Sequence, residues 1–327
     1  MTRFFTVVLI VFVFNLSTSQ TYIKDSETNY PVSYATISFG NGNGLFADDE
    51  GLFIFNKKLY PDIDSLYISA LGYKQLVIAT TNLPKDIKLI PDVNELDEVV
   101  INVKNKKKFK KEELKPYLDD DYYKCWLPTI ESEIAVFFPN TDDRLKQLKS
   151  VKFPIALESR DWKKRKRANS DKRSFSTLFK VQFYEANEQG LPGDVITYET
   201  IVFRATEKDG DYHELNVENY DLYMPKNGFF VSIQVLGYTD KSGKLLPNKK
   251  YKEIKTKSGV VKIPTNFRPL LPFTDKIKTK NTYVKRVFIN GNEWVRFQKG
   301  NGFKSSLLDN NLNNYGVGVT YKVYKNE

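Results

Sequence analysis

Along residues 32–39 the side chains alternate in character: Val32, Tyr34, Thr36 and Ser38 fall on one side, and Ser33, Ala35, Ile37 and Phe39 on the other. A period of two predicts a half-buried strand. The run GNGNG (40–44) then predicts a chain reversal, because Gly and Asn tolerate positive φ. Residues 45–55 read as strand, turn and strand, with Asp48, Asp49, Glu50 and Gly51 in the turn. Residues 65–71 and 75–80 predict another pair, with Gly72 between them, and residues 85–90 close the set before Pro91. Short strands at regular spacing with turn signals predict an antiparallel sandwich.

The second half of the chain has the same texture. Strands are predicted over 133–139, 148–157, 174–185, 196–204, 213–217, 228–237, 282–289, 294–297 and 316–324. The clearest is 174–185, where Phe175, Thr177, Phe179, Val181 and Phe183 share a face; Val151, Phe153 and Ile155 share another. With no repeats or helical stretches, about eight to ten strands predict a jelly-roll-like sandwich. The predicted fold class is therefore all-β, an N-terminal antiparallel β-sandwich followed by a larger jelly-roll-like β-sandwich. The predicted boundaries are 1–19 leader, 20–92 first sandwich, 93–125 connector and 126–327 second β domain.

The segments PVSYATISF, ADDEGLFIF, LYISALGYK, KLIP and ELDEVVI, in this order over residues 20–101, resemble the carboxypeptidase regulatory-like domain, a transthyretin-like β-sandwich common in exported proteins of the Bacteroidetes type. The resemblance implies a non-catalytic module and an envelope compartment. Such a domain often precedes the plug and barrel of TonB-dependent receptors, but too little chain follows here for a large barrel, and no plug signature is present. ELDEVVI (95–101) reads instead as a strand that adds to a sheet edge, within the chain or on a partner. The stretches FKVQFYEANEQGLPGDVI and LNVENYDLYMPKNGFFVSIQVLGY resemble jelly-roll domains found behind such sandwiches, a fold type that also serves as carbohydrate-binding modules.

Residues 1–19 have the parts of a secretory signal: Arg3, the apolar core TVVLIVFVFNL, and small residues before a cleavage point near Ser19–Gln20. The apolar run is too short for a span of about 30 Å. No Cys follows it directly, which argues against a lipid-modified end. The expected location is periplasm, outer membrane or cell surface. A single cysteine, Cys125, excludes an intramolecular disulfide, so stability rests on burial.

The net charge of +10 directs attention to anionic partners. Export leaves an envelope protein or an anionic polysaccharide as the partner and removes nucleic acid. The run KNKKKFKKEELK (104–115) reads as a solvated linker, or as a peripheral contact with an anionic membrane at about 1 kcal/mol per basic residue. The densest basic feature is 158–174, predicted to be a hairpin loop. There Arg160, Lys163, Lys164, Arg165, Lys166, Arg167 and Arg173 surround Trp162, a set suited to sulfate, phosphate or uronate groups. A solvated loop is the plainer reading. A second candidate surface is an aromatic sheet face for sugar stacking, with Trp162, Tyr198 and Trp294 as its residues.

Catalysis is not expected. His213 is the sole histidine, so nucleophile–base machinery would have to run through it. No G-x-S-x-G, H-E-x-x-H, P-loop or dinucleotide motif occurs. One His and one Cys do not make a zinc set, and three carboxylates at Asp48–Glu50 fall short of a calcium shell. No metal or cofactor is expected. Glu185, Glu188 and Glu199 flank strands, but nothing selects them as a glycosidase pair.

Overall fold

The structure, a computed structural model, describes residues 19–92, 108–119, 121–159, 171–247, 251–256, 259–289, 291 and 293–325. Residues 1–18 of the leader and all of ELDEVVI lie outside the described residues. No helix among the described residues is long and apolar enough to cross a membrane.

The chain is almost entirely β. The first domain has seven strands: β1 (Ser19–Asp25), β2 (Thr36–Ser38), β3 (Gly44–Phe46), β4 (Leu52–Phe55), β5 (Ser65–Ser69), β6 (Leu76–Ala79) and β7 (Asp86–Leu89). They form a sheet in the order β4-β1-β7 and another in the order β3-β2-β5-β6. Ile23, Ile37, Phe53, Leu66 and Ile87 meet between them. The predicted alternation is borne out at Ala35, Ile37 and Phe39, all buried. The regular strand is shorter than predicted because Tyr34 adopts a positive φ of 55°. Strand β1 was not expected; it begins at the predicted cleavage point and pairs antiparallel with β4 and parallel with β7.

The second domain carries β8 (Phe109–Leu114), β9 (Cys125–Trp126), β10 (Ser132–Phe138), β11 (Lys146–Pro154), β12 (Ser176–Ala186), β13 (Pro192–Val195), β14 (Ile201–Thr206), β15 (Tyr212–Asn216) and β16 (Phe229–Tyr238). It continues with β17 (Tyr251–Thr256), β18 (Gly259–Pro264), β19 (Leu271–Thr274), β20 (Thr282–Arg286), β21 (Val295–Arg296), a one-turn helix α1 (Ser306–Asp309), β22 (Asn314–Tyr315) and β23 (Gly318–Tyr324). A seven-stranded sheet runs β13-β12-β16-β10-β20-β21 with β14 also on β12, and it faces a four-stranded sheet β15-β11-β23-β8. The chain changes sheets at β10–β11, β11–β12, β14–β15 and β15–β16, a sandwich of the predicted type. Phe179, Val181, Phe183, Val231 and Ile233 from one sheet pack on Val151, Phe153, Val319 and Tyr321 from the other.

The connector differs from expectation. Residues 109–114, with their lysines, do not form a linker. They are β8, an edge strand paired with β23. Glu112 receives Arg144 at 3.1 Å and Glu113 receives Lys152 at 2.5 Å, so the acidic half of the segment pins it to the sheet.

The two sandwiches join closely. Ser38 Oγ donates to the Phe288 carbonyl at 2.8 Å, and the Gly42 N–H donates to the same oxygen at 3.0 Å. Phe46, from β3, belongs to the core of the second domain, with its ring centroid 5.3 Å from that of Phe288. Lys244 reaches Glu50 at 3.2 Å across the junction. In the turn itself, the Asp48 carboxylate accepts N–H bonds from Glu50 and Leu52 at 3.0 and 2.8 Å, so its oxygens close a turn.

Candidate functional site

The basic hairpin lies between β11 and β12. Arg160, Trp162, Lys163, Lys164, Arg165, Lys166 and Arg167 lie outside the described residues, whereas both ends of the loop are described. Ser159 and Lys172 form an antiparallel bridge. The Arg173 N–H donates to the Glu158 carbonyl at 2.9 Å, and Ser159 Oγ donates to the Asp171 carbonyl at 3.3 Å. The chain therefore leaves and re-enters the fold at one point.

Beneath this closure sits Glu158, a carboxylate only 8% exposed. Arg268 Nε donates to its Oε2, and Arg173 Nε lies 3.6 Å from the same oxygen. A buried carboxylate needs such partners, since an unpaired buried charge is strongly destabilising. Arg173 thus has a carboxylate neighbour at the base of the basic segment, while its side chain stays half-exposed.

The aromatic candidates do not form a common open face among the described residues. Trp294 is 9% exposed. It packs edge-on against Tyr184 at 5.6 Å, and the Lys285 ammonium lies 5.7 Å from its ring centroid. It belongs to a buried cluster with Ala135, Phe230 and Tyr283 and is not the exposed stacking ring expected for a sugar. Tyr198 is 79% exposed, in the turn between β13 and β14.

His213 stacks on Phe203 with centroids 4.2 Å apart and an interplanar angle of 9°. Its Nδ1 is 2.5 Å from Asp209 Oδ1. Burial pushes the Asp209 carboxyl up, but the Thr206 N–H and His213 outweigh it and its pKa is lowered. Cys125 is buried, with Sγ 3.3 Å from the Asp121 carbonyl. No group of three or more His, Cys, Asp or Glu side chains placed to hold a metal occurs among the described residues.

One feature was missed from the sequence. On the outer face of the seven-stranded sheet, polar residues stand side by side on four neighbouring strands: Lys180 opposite Gln234, Gln234 opposite Glu133, and Glu133 opposite Lys285. The signal was the polar alternation Lys180, Gln182, Tyr184 within FKVQFYE. Such alternation ordinarily marks a solvent face. Here the first sandwich covers it.

No family model and no curated protein matches the sequence. Two solved structures are similar to it at low level. One contains the cysteine protease and lectin-like domains of Cwp84, a surface layer associated protein of Clostridium difficile, at 10% identity and a TM-score of 0.33. The other is a clostridial cysteine protease Cwp84 after propeptide cleavage, at 10% identity and a TM-score of 0.34. Each match covers 94% of this chain, which spans 63% of the first structure and 70% of the second. Scores of this size do not establish a shared fold.

Proposed function

We propose that this chain is an exported, non-catalytic interaction protein of the cell envelope, and that the hairpin between β11 and β12 docks on an anionic partner. The observation that carries the reading is the clamped base at Glu158, Arg173 and Arg268. It brings the two described ends of the basic segment together on the sandwich, so the ordering cost of those ends is already met within the fold. Electrostatic contacts of this kind accelerate encounter and weaken with salt. The leader and the resemblance of the first sandwich to carboxypeptidase regulatory-like domains support the envelope assignment.

The partner chemistry is sulfate, carboxylate or phosphate on a polysaccharide or an acidic protein. Binding of the purified chain to acidic and neutral glycan arrays, at low and high salt, tests this. The expected result is salt-sensitive capture by acidic glycans, lost when Lys163, Lys164, Arg165, Lys166 and Arg167 are replaced by Ser. Retention of that binding by the replaced protein would sink the reading. An absence of glycan binding would direct the search, by crosslinking in cells, to an acidic envelope protein.

A further inference from the structure

The polar row on the outer face of the seven-stranded sheet lines a cavity of about 370 Å³ between the two sandwiches. The sheet supplies its floor, and Tyr34 and Ser69 of the first sandwich contribute to its wall. The middle of the floor is deeply buried, Gln234 being 2% exposed and Glu133 3%, and Lys180 and Lys285 at its ends are half-buried. Four adjacent strands give the row a length of about 14 Å, with Lys180 at one end and Lys285 at the other.

The four groups differ in how they are satisfied. Glu133 Oε1 accepts from Tyr184 Oη at 2.8 Å and from Ser232 Oγ at 2.6 Å, so this carboxylate is fixed in orientation. Among the described residues, Gln234 has no partner for either its amide nitrogen or its amide oxygen. A buried polar group left unmatched costs about 1–3 kcal/mol, and an apolar residue of the same shape avoids that cost. Lys180 and Lys285 make no ion pair among the described residues; their ammoniums lie near the Phe46 and Trp294 rings. Burial holds the Lys180 ammonium below its usual range, with Glu133 opposing and Lys285 adding to the effect. The floor therefore offers two ammoniums against one buried carboxylate, with a second carboxylate, the exposed Asp194, elsewhere on the lining, and between the ammoniums an amide whose donor and acceptor are unmatched among the described residues.

We propose that this cleft is a binding site for a small polyhydroxy acid of monosaccharide size, a hexuronate being the class it fits. The ligand carboxylate complements the Lys180 ammonium, which makes no ion pair among the described residues. Its hydroxyls complement Gln234, which can both donate and accept, and Glu133, which accepts. The volume falls in the range of small-molecule sites and exceeds what a lone inorganic anion fills. Because the wall comes from the first sandwich, the site is complete only when the two domains are joined. It is separate from the basic hairpin and independent of that proposal.

The test is calorimetric titration of the full chain with glucuronate, glucose, acetate and a tetragalacturonate. Saturable glucuronate binding at one site per chain is expected, with glucose and acetate at least tenfold weaker. Binding of the tetrasaccharide but not the monosaccharide would assign the cleft to the end of a polymer; the reverse would assign it to free sugar acid. Lys180→Met should weaken binding at least tenfold, while the serine-replaced hairpin variant should bind as the parent does. Gln234→Leu should also abolish binding and, with ligand absent, raise the melting temperature, because it removes an unmatched amide. No saturable binding of any uronate, binding unaffected by Lys180→Met and Gln234→Leu, or a lowered melting temperature for Gln234→Leu would each overturn the proposal.

Discussion

The ring of Phe288 occupies the space in which residue 44 would carry a side chain: a Cβ on Gly44 would stand 2.3 Å from Phe288 Cδ1 and 2.4 Å from the Ile37 carbonyl oxygen. Glycine at 44 is what allows the β2–β3 hairpin to lie against the second domain. Gly44→Ala is expected to destabilise the protein by about 1–3 kcal/mol through overpacking. Ser38→Ala, which removes one hydrogen bond to Phe288, should have a smaller effect of about 0.5–1.5 kcal/mol. Denaturant unfolding checks both, and a Gly44→Ala protein as stable as the parent would refute the close-approach argument.

The two aromatic candidates should separate cleanly. Trp294→Ala empties part of a buried cluster and is expected to cost about 3–5 kcal/mol. Tyr198→Ala touches an exposed turn and should change stability by no more than about 0.5 kcal/mol. Thermal melts of the two variants side by side provide the comparison.

At the hairpin base, Arg268→Met leaves the Glu158 carboxylate buried with Arg173 as its remaining cation partner, at 3.6 Å. Breaking a buried pair from one side costs about 3–5 kcal/mol. Trypsin should consequently cut within residues 160–170 markedly faster in the variant than in the parent, while cleavage elsewhere tracks global unfolding. Equal rates at the loop would show that Arg268 does not hold it.

Strand β8 should loosen in acid. The hydrogen bond from Lys152 holds the Glu113 carboxyl below its usual range, with burial opposing. A carboxyl whose pKa is lowered by folding contributes its stabilisation above the unfolded value, about 4.3, and loses it as pH falls through the folded value. Amide protection of Phe109–Leu114, corrected for intrinsic exchange, should be constant from pH 7 to 5 and fall below about pH 4. Protection that persists to pH 3 would mean that backbone pairing with β23 alone holds the edge.

Strands with one apolar face were legible in the sequence. Phe179, Val181 and Phe183 alternate with Lys180, Gln182 and Tyr184, and the strand formed where that pattern placed it. Strand β1 was not legible because Ser19 and Gln20 carry the look of a cleavage site. Strand β8 was hidden by Lys110 and Lys111, whose charge reads as linker although a sheet edge tolerates and even favours lysine. The polar row was hidden for a different reason. Its alternation is that of a solvent face, and only the packing of residues 33–71 against strands far along the chain, from Glu133 to Lys285, turns it into a floor. For the basic segment, sequence located the charge, and the structure shows the clamp that joins its two described ends.

The pairing of β8 with β23 also bears on how the second domain responds to force. Phe109 lies opposite Tyr324 and Leu114 opposite Val319, and Lys325 N–H reaches the Lys108 carbonyl, so the two ends of the domain emerge together at one side of the ladder. Tension between residues 108 and 325 would load the rungs one after another, starting at Phe109, instead of shearing them all at once. A domain strung in this way opens like a zip under modest pull. If the chain tethers the cell surface to a moving partner, this edge is where it gives first.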